Sequence, residues 1–355
     1  MSAKTPRATA ARRTLRGAGL GVMALALLLA AAHSLAWRWA TGALAVGFSD
    51  WVTLRRAEGL TVEHGLPARA GWPFVARLTV PGFRIAGRSP ALPQDFAWEA
   101  GRLSLTVGPR DPGRLVLEAA GPQGLSLGAT PLPYTAARLR AVLPLEPGLP
   151  PRGVEVLAER LVAVTQAGPV AARRIEGALA PRPGDGGLAL WLSAEALTLP
   201  PLPAAAAFGE AIEHLAAEIV LTGPLPSPAP PARWAAAWAA GGGALELSRL
   251  ALRWGPLAAE AHGTLRLDAA LQPAGAGVLA LERPQEALAA LMGAGLIGAR
   301  EAGAAGAALA LMTRRTGDAP PRAELPLAIG NGRLSVAGAP LLRLRPIRWP
   351  SAGAW

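Results

Sequence analysis

The sequence predicts a mainly β, α+β protein: an N-terminal transmembrane helix, then curved antiparallel β-sheets forming a groove or sandwich, with a few C-terminal covering helices. Three observations predict it. Residues 17–37 form a 21-residue stretch without a formal charge, counting His33 as neutral. Beyond it, short segments alternate apolar and polar residues between Gly or Pro, the pattern of half-buried antiparallel strands. Helical spacing is confined to a few places.

The apolar stretch comes first. At 1.5 Å per residue its helix spans about 31 Å, the thickness of a bilayer's hydrocarbon core. Leu20, Val22, Leu25, Leu27, Leu28 and Leu29 supply the lipid-facing surface. Arg12, Arg13 and Arg16 precede it and no acid occurs before Asp50, so the basic end stays cytoplasmic and the rest is exported. Trp37 and Trp39, with Trp51 further on, suit the far interface. This divides the chain into a basic tail (1–16), a signal-anchor helix (17–39) and a periplasmic β-rich domain (40–355), a single-pass inner-membrane arrangement. A cleaved signal peptide with a site at Ser34-Leu35-Ala36 is the competing reading.

The exported part then reads as strands. Phe74, Ala76, Leu78 and Val80 share one face, and Leu103, Leu105, Val107 and Leu115, Leu117, Ala119 repeat the pattern across a Gly108-Pro-Arg-Asp-Pro-Gly113 turn. Further strands are predicted at 125–127, 139–145, 154–164, 188–192, 219–221, 245–252, 264–268, 325–329, 334–336 and 341–345. Helices are predicted at 284–296, at 300–315 and around 208–215, where Phe208, Ile212 and Leu215 have helical spacing. Five prolines exclude regular structure from 222–232. That segment either separates two lobes, 40–221 and 233–355, or is a long loop within one sheet system.

Composition removes several chemistries. With no cysteine there is no disulfide framework, thiolate nucleophile or Cys-ligated metal. Lys4 is the sole lysine, so no folded domain carries a phosphate-binding or Schiff-base lysine. The net charge of +11 suggests nucleic acid, but Lys4, Arg7, Arg12, Arg13 and Arg16 account for five charges ahead of the membrane segment. The remaining +6 is spread along the chain without a basic cluster, so no nucleic-acid partner is expected.

Short motifs fare poorly in context. Gly124-Leu-Ser126-Leu-Gly128 matches the nucleophile-elbow pattern, but leucine alternation continues through it and Pro-rich sequence follows, so a serine hydrolase is a remote alternative. Gly293-Ala-Gly295-Leu-Ile-Gly298 matches a dinucleotide fingerprint but follows a helical segment, which makes the glycines helix-ending. Glu210, Glu213 and His214 lack the further histidine a zinc site requires and read as a polar helix face. No catalytic residue, cofactor or metal is assigned. In 341–349 leucine and arginine alternate, placing Arg343 and Arg345, with Arg348 beyond, as a cationic rim suited to anionic lipid headgroups.

The order of segments carries a family resemblance. Glu63-His64-Gly65, Gly71-Trp72-Pro73-Phe74, Trp98, Gly101-Arg102-Leu103 and Pro109-Arg-Asp-Pro112 are followed by Leu250-Ala-Leu-Arg-Trp-Gly-Pro-Leu257, Gly263-Thr-Leu-Arg-Leu-Asp-Ala-Ala-Leu-Gln-Pro273, Asn331-Gly-Arg-Leu-Ser335 and Pro340-Leu341. Over nearly all of residues 20–350 this resembles the alphaproteobacterial envelope proteins grouped as domain of unknown function 2125. The resemblance implies anchoring and a β-rich exported domain, and no site residue. More distantly the plan is similar to AsmA-like envelope proteins, which are associated with lipid handling. The expectation is a non-enzymatic envelope protein binding lipid or another hydrophobe, the alternative a scaffold contacting other envelope proteins.

Overall fold

The computed structural model describes residues 7–88, 95–145, 152–182, 184, 186–226, 229–314 and 320–349. Lys4 lies outside them. The chain opens with helix α1, Arg7–Ala57, 51 residues and about 77 Å long at 1.5 Å per residue. It therefore continues well past residue 39, where the expected anchor ends. Gly59 stops it: with φ of 86° this residue takes the left-handed conformation, and Leu60 N–H donates to Arg55 C=O at 3.0 Å.

Among the described residues, eighteen strands follow in one antiparallel sheet. They are β1 Thr61–Glu63, β2 Ala68–Ala70, β3 Ala76–Gly87, β4 Phe96–Gly108, β5 Asp111–Leu127, β6 Thr130–Thr135, β7 Arg138–Pro144, β8 Val154–Thr165, β9 Gly168–Pro181 and β10 Leu188–Thr198. The set continues with β11 Ala211–Thr222, β12 Ala244–Trp254, β13 Leu257–Leu267, β14 Pro273–Glu282, β15 Thr313–Arg314, β16 Arg322–Gly330, β17 Arg333–Val336 and β18 Ala339–Arg343. From β3 onward the chain meanders, each long strand pairing with the next. β6 and β7 share the space between β5 and β8, while β1 and β2 pair with opposite ends of β3. β11 and β12 pair from Thr222–Ala244 to His214–Arg253, so the sheet runs on across the proline-rich segment.

Four short helices among the described residues decorate the sheet: α2 Ala205–Phe208, α3 Pro231–Ala240, α4 Pro284–Gly293 and α5 Ala299–Met312. The last two occupy the helices expected at 284–296 and 300–315. The helix expected around 208–215 is corrected. Only Ala205–Phe208 is helical, and Ala211–Thr222 is a strand pairing on both edges. Phe208 and Ile212 are buried, but the second is buried from a strand, where the β-branched Ile212, Ile219, Val220 and Thr222 fit well. The strand expected at 341–345 ends at Arg343, since Pro346 lies close behind and Leu344 N–H turns to Gly332 C=O.

The principal core lies where the second half of α1 packs along β3. Phe48 and Val52 meet Val62, Leu78, Val80, Phe83, Leu103 and Leu105, all buried. Leu44, Phe48 and Val52 recur every four residues on one helix face. Arg56 donates to Val62 C=O at 2.5 Å, fixing the helix end against β1.

Candidate functional site

The register places an apolar row across the sheet. It begins Leu78–Leu105–Leu117–Ala141–Val156–Gly177, each residue directly opposite the next on neighbouring strands. It continues Leu192–Ala217–Leu250–Ala261–Leu279–Leu325. Two positions along each strand, a second row runs from Val80 and Leu103 through Ala119, Leu139, Ala158 and Ile175, then Ala194, Leu215, Leu252, Ala259, Leu281 and Ala323. Both rows cross twelve strands without a polar side chain. At about 4.8 Å between strands, each is roughly 53 Å long.

Cover on this face is uneven. Below α1, Leu78 and Val80 are 1% and 0% exposed, and at the other end, where α5 meets β16, Ala323 and Leu325 are 0% and 7%. Between them Val156, Leu190 and Leu192 are 42%, 40% and 39% exposed, high for residues whose neighbours are all apolar. The uncovered middle, over β8–β10, is the candidate site. It arises because helices occur near both ends of the sheet, while the 154–198 region folds as three consecutive long strands.

The opposite face carries charge. Arg138, Glu159, Arg174, Glu195, His214 and Arg253 stand opposite one another on successive strands. Arg138 donates to Glu118 at 2.8 Å, and Arg174 donates across to Glu159 at 3.2 Å and along its own strand to Glu176 at 2.5 Å. Farther along, Glu260 accepts from Arg249 and Arg322, and the hydrogen bond from Arg249 is the largest of the effects that hold its carboxyl below the usual range against the opposing pull of burial. Such ion pairs, most of them across strands, keep this face in water.

The residues singled out from the sequence fall as follows. Val22, Leu25, Leu27, Leu28 and Leu29 are all exposed on α1, between 57% and 69%. Leu20, Arg12, Arg13 and Arg16 lie on the same helix. Trp39 points outward at 76% exposure, whereas Trp37 is half-buried and donates from Nε1 to Val75 C=O at 2.9 Å. Trp51 is exposed at the rim of the core, its ring 6.3 Å from those of Phe48 and Phe83. Arg343 is on β18 opposite Arg333, and Arg345 and Arg348 follow it, exposed, on a tail held by Ile347 N–H to Gln272 at 2.7 Å and Trp349 Nε1 to Leu271 C=O at 2.9 Å.

Ser126 lies at the end of β5 between Ala97 and Pro131, and the turn that follows it leads into strand β6 and not into a helix. Glu213 and His214 are neighbours on a strand, so they point to opposite faces and do not form the helix face expected for them. His214 instead borders a shallow polar hollow with Arg249, Arg253, Glu260, Glu282 and Arg322. Two contacts had no signal in the sequence: His33 Nε2 with Pro73 C=O, 2.5 Å apart, and the Trp37–Val75 bond. Both link residues about 40 positions apart through backbone carbonyls.

One long apolar helix leading into an antiparallel meander with one leucine face and one charged face defines the class of protein. A family model described as an uncharacterized protein conserved in bacteria, DUF2125, matches residues 37–345, and the chain belongs to that family. Comparison with curated proteins and with solved structures gives no match.

Proposed function

We propose that this is a non-enzymatic inner-membrane protein whose periplasmic sheet binds lipid or another hydrophobe on the uncovered stretch of its leucine face, serving envelope maintenance. The observation that carries the reading is the first apolar row, which crosses twelve strands and is open to solvent at Val156 and Leu192, with exposed Leu190 beside Leu192 on the same face, while the second row stays buried there at Ala158 and Ala194. An apolar strip of that size calls for a cover, and an acyl chain lying across the strands supplies one without needing hydrogen bonds. Anchoring is supported by the helix itself: its 22–57 segment is long and apolar enough to cross a membrane, and its outward leucines find no protein partner. Cleavage near residue 36 would sever a helix that is continuous into the core.

The test is extraction of the full chain in mild detergent, followed by mass analysis of bound lipid against an anchor-only control. Lipid retained by the wild type and lost from Leu192→Asp supports the reading. Equal lipid on wild type, variant and control overturns it.

A further inference from the structure

We infer that the loop at residues 71–75 is a second membrane-contacting element, a knuckle that seats the sheet on the outer surface of the bilayer that α1 crosses. The inference rests on the anchoring reading above.

The depth follows from the helix. Arg16 and Arg38 bound the uncharged stretch, so Arg38 marks the exported interface. His33 and Trp37 precede it by five residues and one, which puts them about 7.5 Å and about 1.5 Å toward the hydrocarbon. These two side chains hold the loop, His33 Nε2 on Pro73 C=O at 2.5 Å and Trp37 Nε1 on Val75 C=O at 2.9 Å. The loop is thus pinned at or just inside the headgroup level.

Its construction suits that place. Gly71 has φ of 93°, and Phe74 N–H and Val75 N–H both fold back onto Gly71 C=O at 3.0 and 2.9 Å. Backbone polar groups at membrane depth must be satisfied within the protein. Here the turn satisfies two donors and the helix satisfies two carbonyls. The side chains left outside are apolar and aromatic: Phe74 is 78% exposed and Trp72 58%, and at the same level of α1, away from the loop, Leu35 and Trp39 are 68% and 76% exposed. Exposed aromatics on one turn have no partner to explain them in water, whereas at a bilayer interface they are the preferred composition. Exposed Arg69, next to Gly42 of α1, and exposed Arg110, on the hairpin adjoining the start of β3, add positive charge at the same end.

The chain contains no cysteine, so single sites can be labelled directly. Full-length Leu28→Cys, Phe74→Cys and Val164→Cys variants carry an environment-sensitive fluorophore in phosphatidylglycerol–phosphatidylethanolamine vesicles, with or without brominated acyl chains. Val164 sits at the far end of β8. A blue shift and bromine quenching at Leu28 and Phe74, with a water-like signal at Val164, is the expected result. Lipid contact at Leu28 with a water-like Phe74 overturns the inference and leaves the anchor intact. A water-like signal at Leu28 removes the anchor, and the inference with it.

Discussion

Leu192 stands directly opposite Gly177 across the β9–β10 pair, and Val156 flanks the same glycine from β8. A Cβ at Gly177 would approach Val156 and Leu192 at 3.3 and 3.6 Å, so those two side chains already close over the glycine. The row is apolar along its length but shielded only toward its ends.

That contrast separates two kinds of leucine. Leu192→Asp places a charge where solvent already reaches, so its stability cost is about 1 kcal/mol or less, while retained hydrophobe falls. Leu78→Ala, in the same row beneath α1, empties a buried site and costs about 2–5 kcal/mol. Thermal unfolding of both variants, read beside bound lipid, checks the division: a large loss of stability in Leu192→Asp would mean the strip is covered.

The single tyrosine reports on the edge of the core. Trp98 Nε1 donates to the Tyr134 hydroxyl at 2.6 Å, and burial pushes the phenol above its ordinary value against the smaller opposing pull of that hydrogen bond. Phenolate absorbance should therefore rise at higher pH in the native protein than in denaturant. The neutral phenol's contribution is complete below the unfolded pKa and is lost as pH rises through the folded one. Tyr134→Phe leaves the indole donor unpaired and costs about 1–3 kcal/mol.

Acid acts on the charged face. The Arg174 hydrogen bond holds the Glu176 carboxyl below its usual range, as Arg249 and then Arg322 do for Glu260. A lowered folded pKa contributes stability above the unfolded value, which is lost as pH falls through the folded one. Both carboxylates are partly exposed, so each contributes at most about 1 kcal/mol. Glu260→Gln should flatten the acidic limb of the stability profile slightly and leave stability at neutral pH within that margin. A steeper acidic limb would contradict the assignment.

How far the sequence could be read depended on periodicity. Leu103-x-Leu-x-Val107 and Leu115-x-Leu-x-Ala119 alternate cleanly and are strands, and the DUF2125 resemblance holds over residues 37–345. β9 and β14 escaped because Ala, Gly and Pro dominate them and give little contrast between faces. The helix around 208–215 was expected from Phe208, Ile212 and Leu215, whose spacing spans a turn and a strand and belongs to neither. The apolar strip was half legible: alternation gives each strand a leucine face, but only the pairing register shows the faces joining, and only the helices' positions show where the cover stops.

Helix α3 was also unforeseen, lying at the edge of a segment read as irregular, and it hangs on one side chain. Pro231 starts it, its ring already set for helical φ. Trp238, 6% exposed, donates from Nε1 to Thr222 C=O at 3.1 Å and stacks at 5.8 Å on Trp234. Gly243 leaves room for that indole, since a Cβ there would lie 2.3 Å from its ring atoms. Gly243→Ala must therefore expel the ring or move the start of β12, and overpacking of this kind costs about 1–3 kcal/mol. Trp238→Phe keeps the space but leaves Thr222 C=O unpaired, at about 0.5–1.5 kcal/mol. In the double variant the smaller ring tolerates the methyl, so the two losses sum to less than additive in a thermal double-mutant cycle. Strict additivity would show that Gly243 is required for its backbone and not for Trp238.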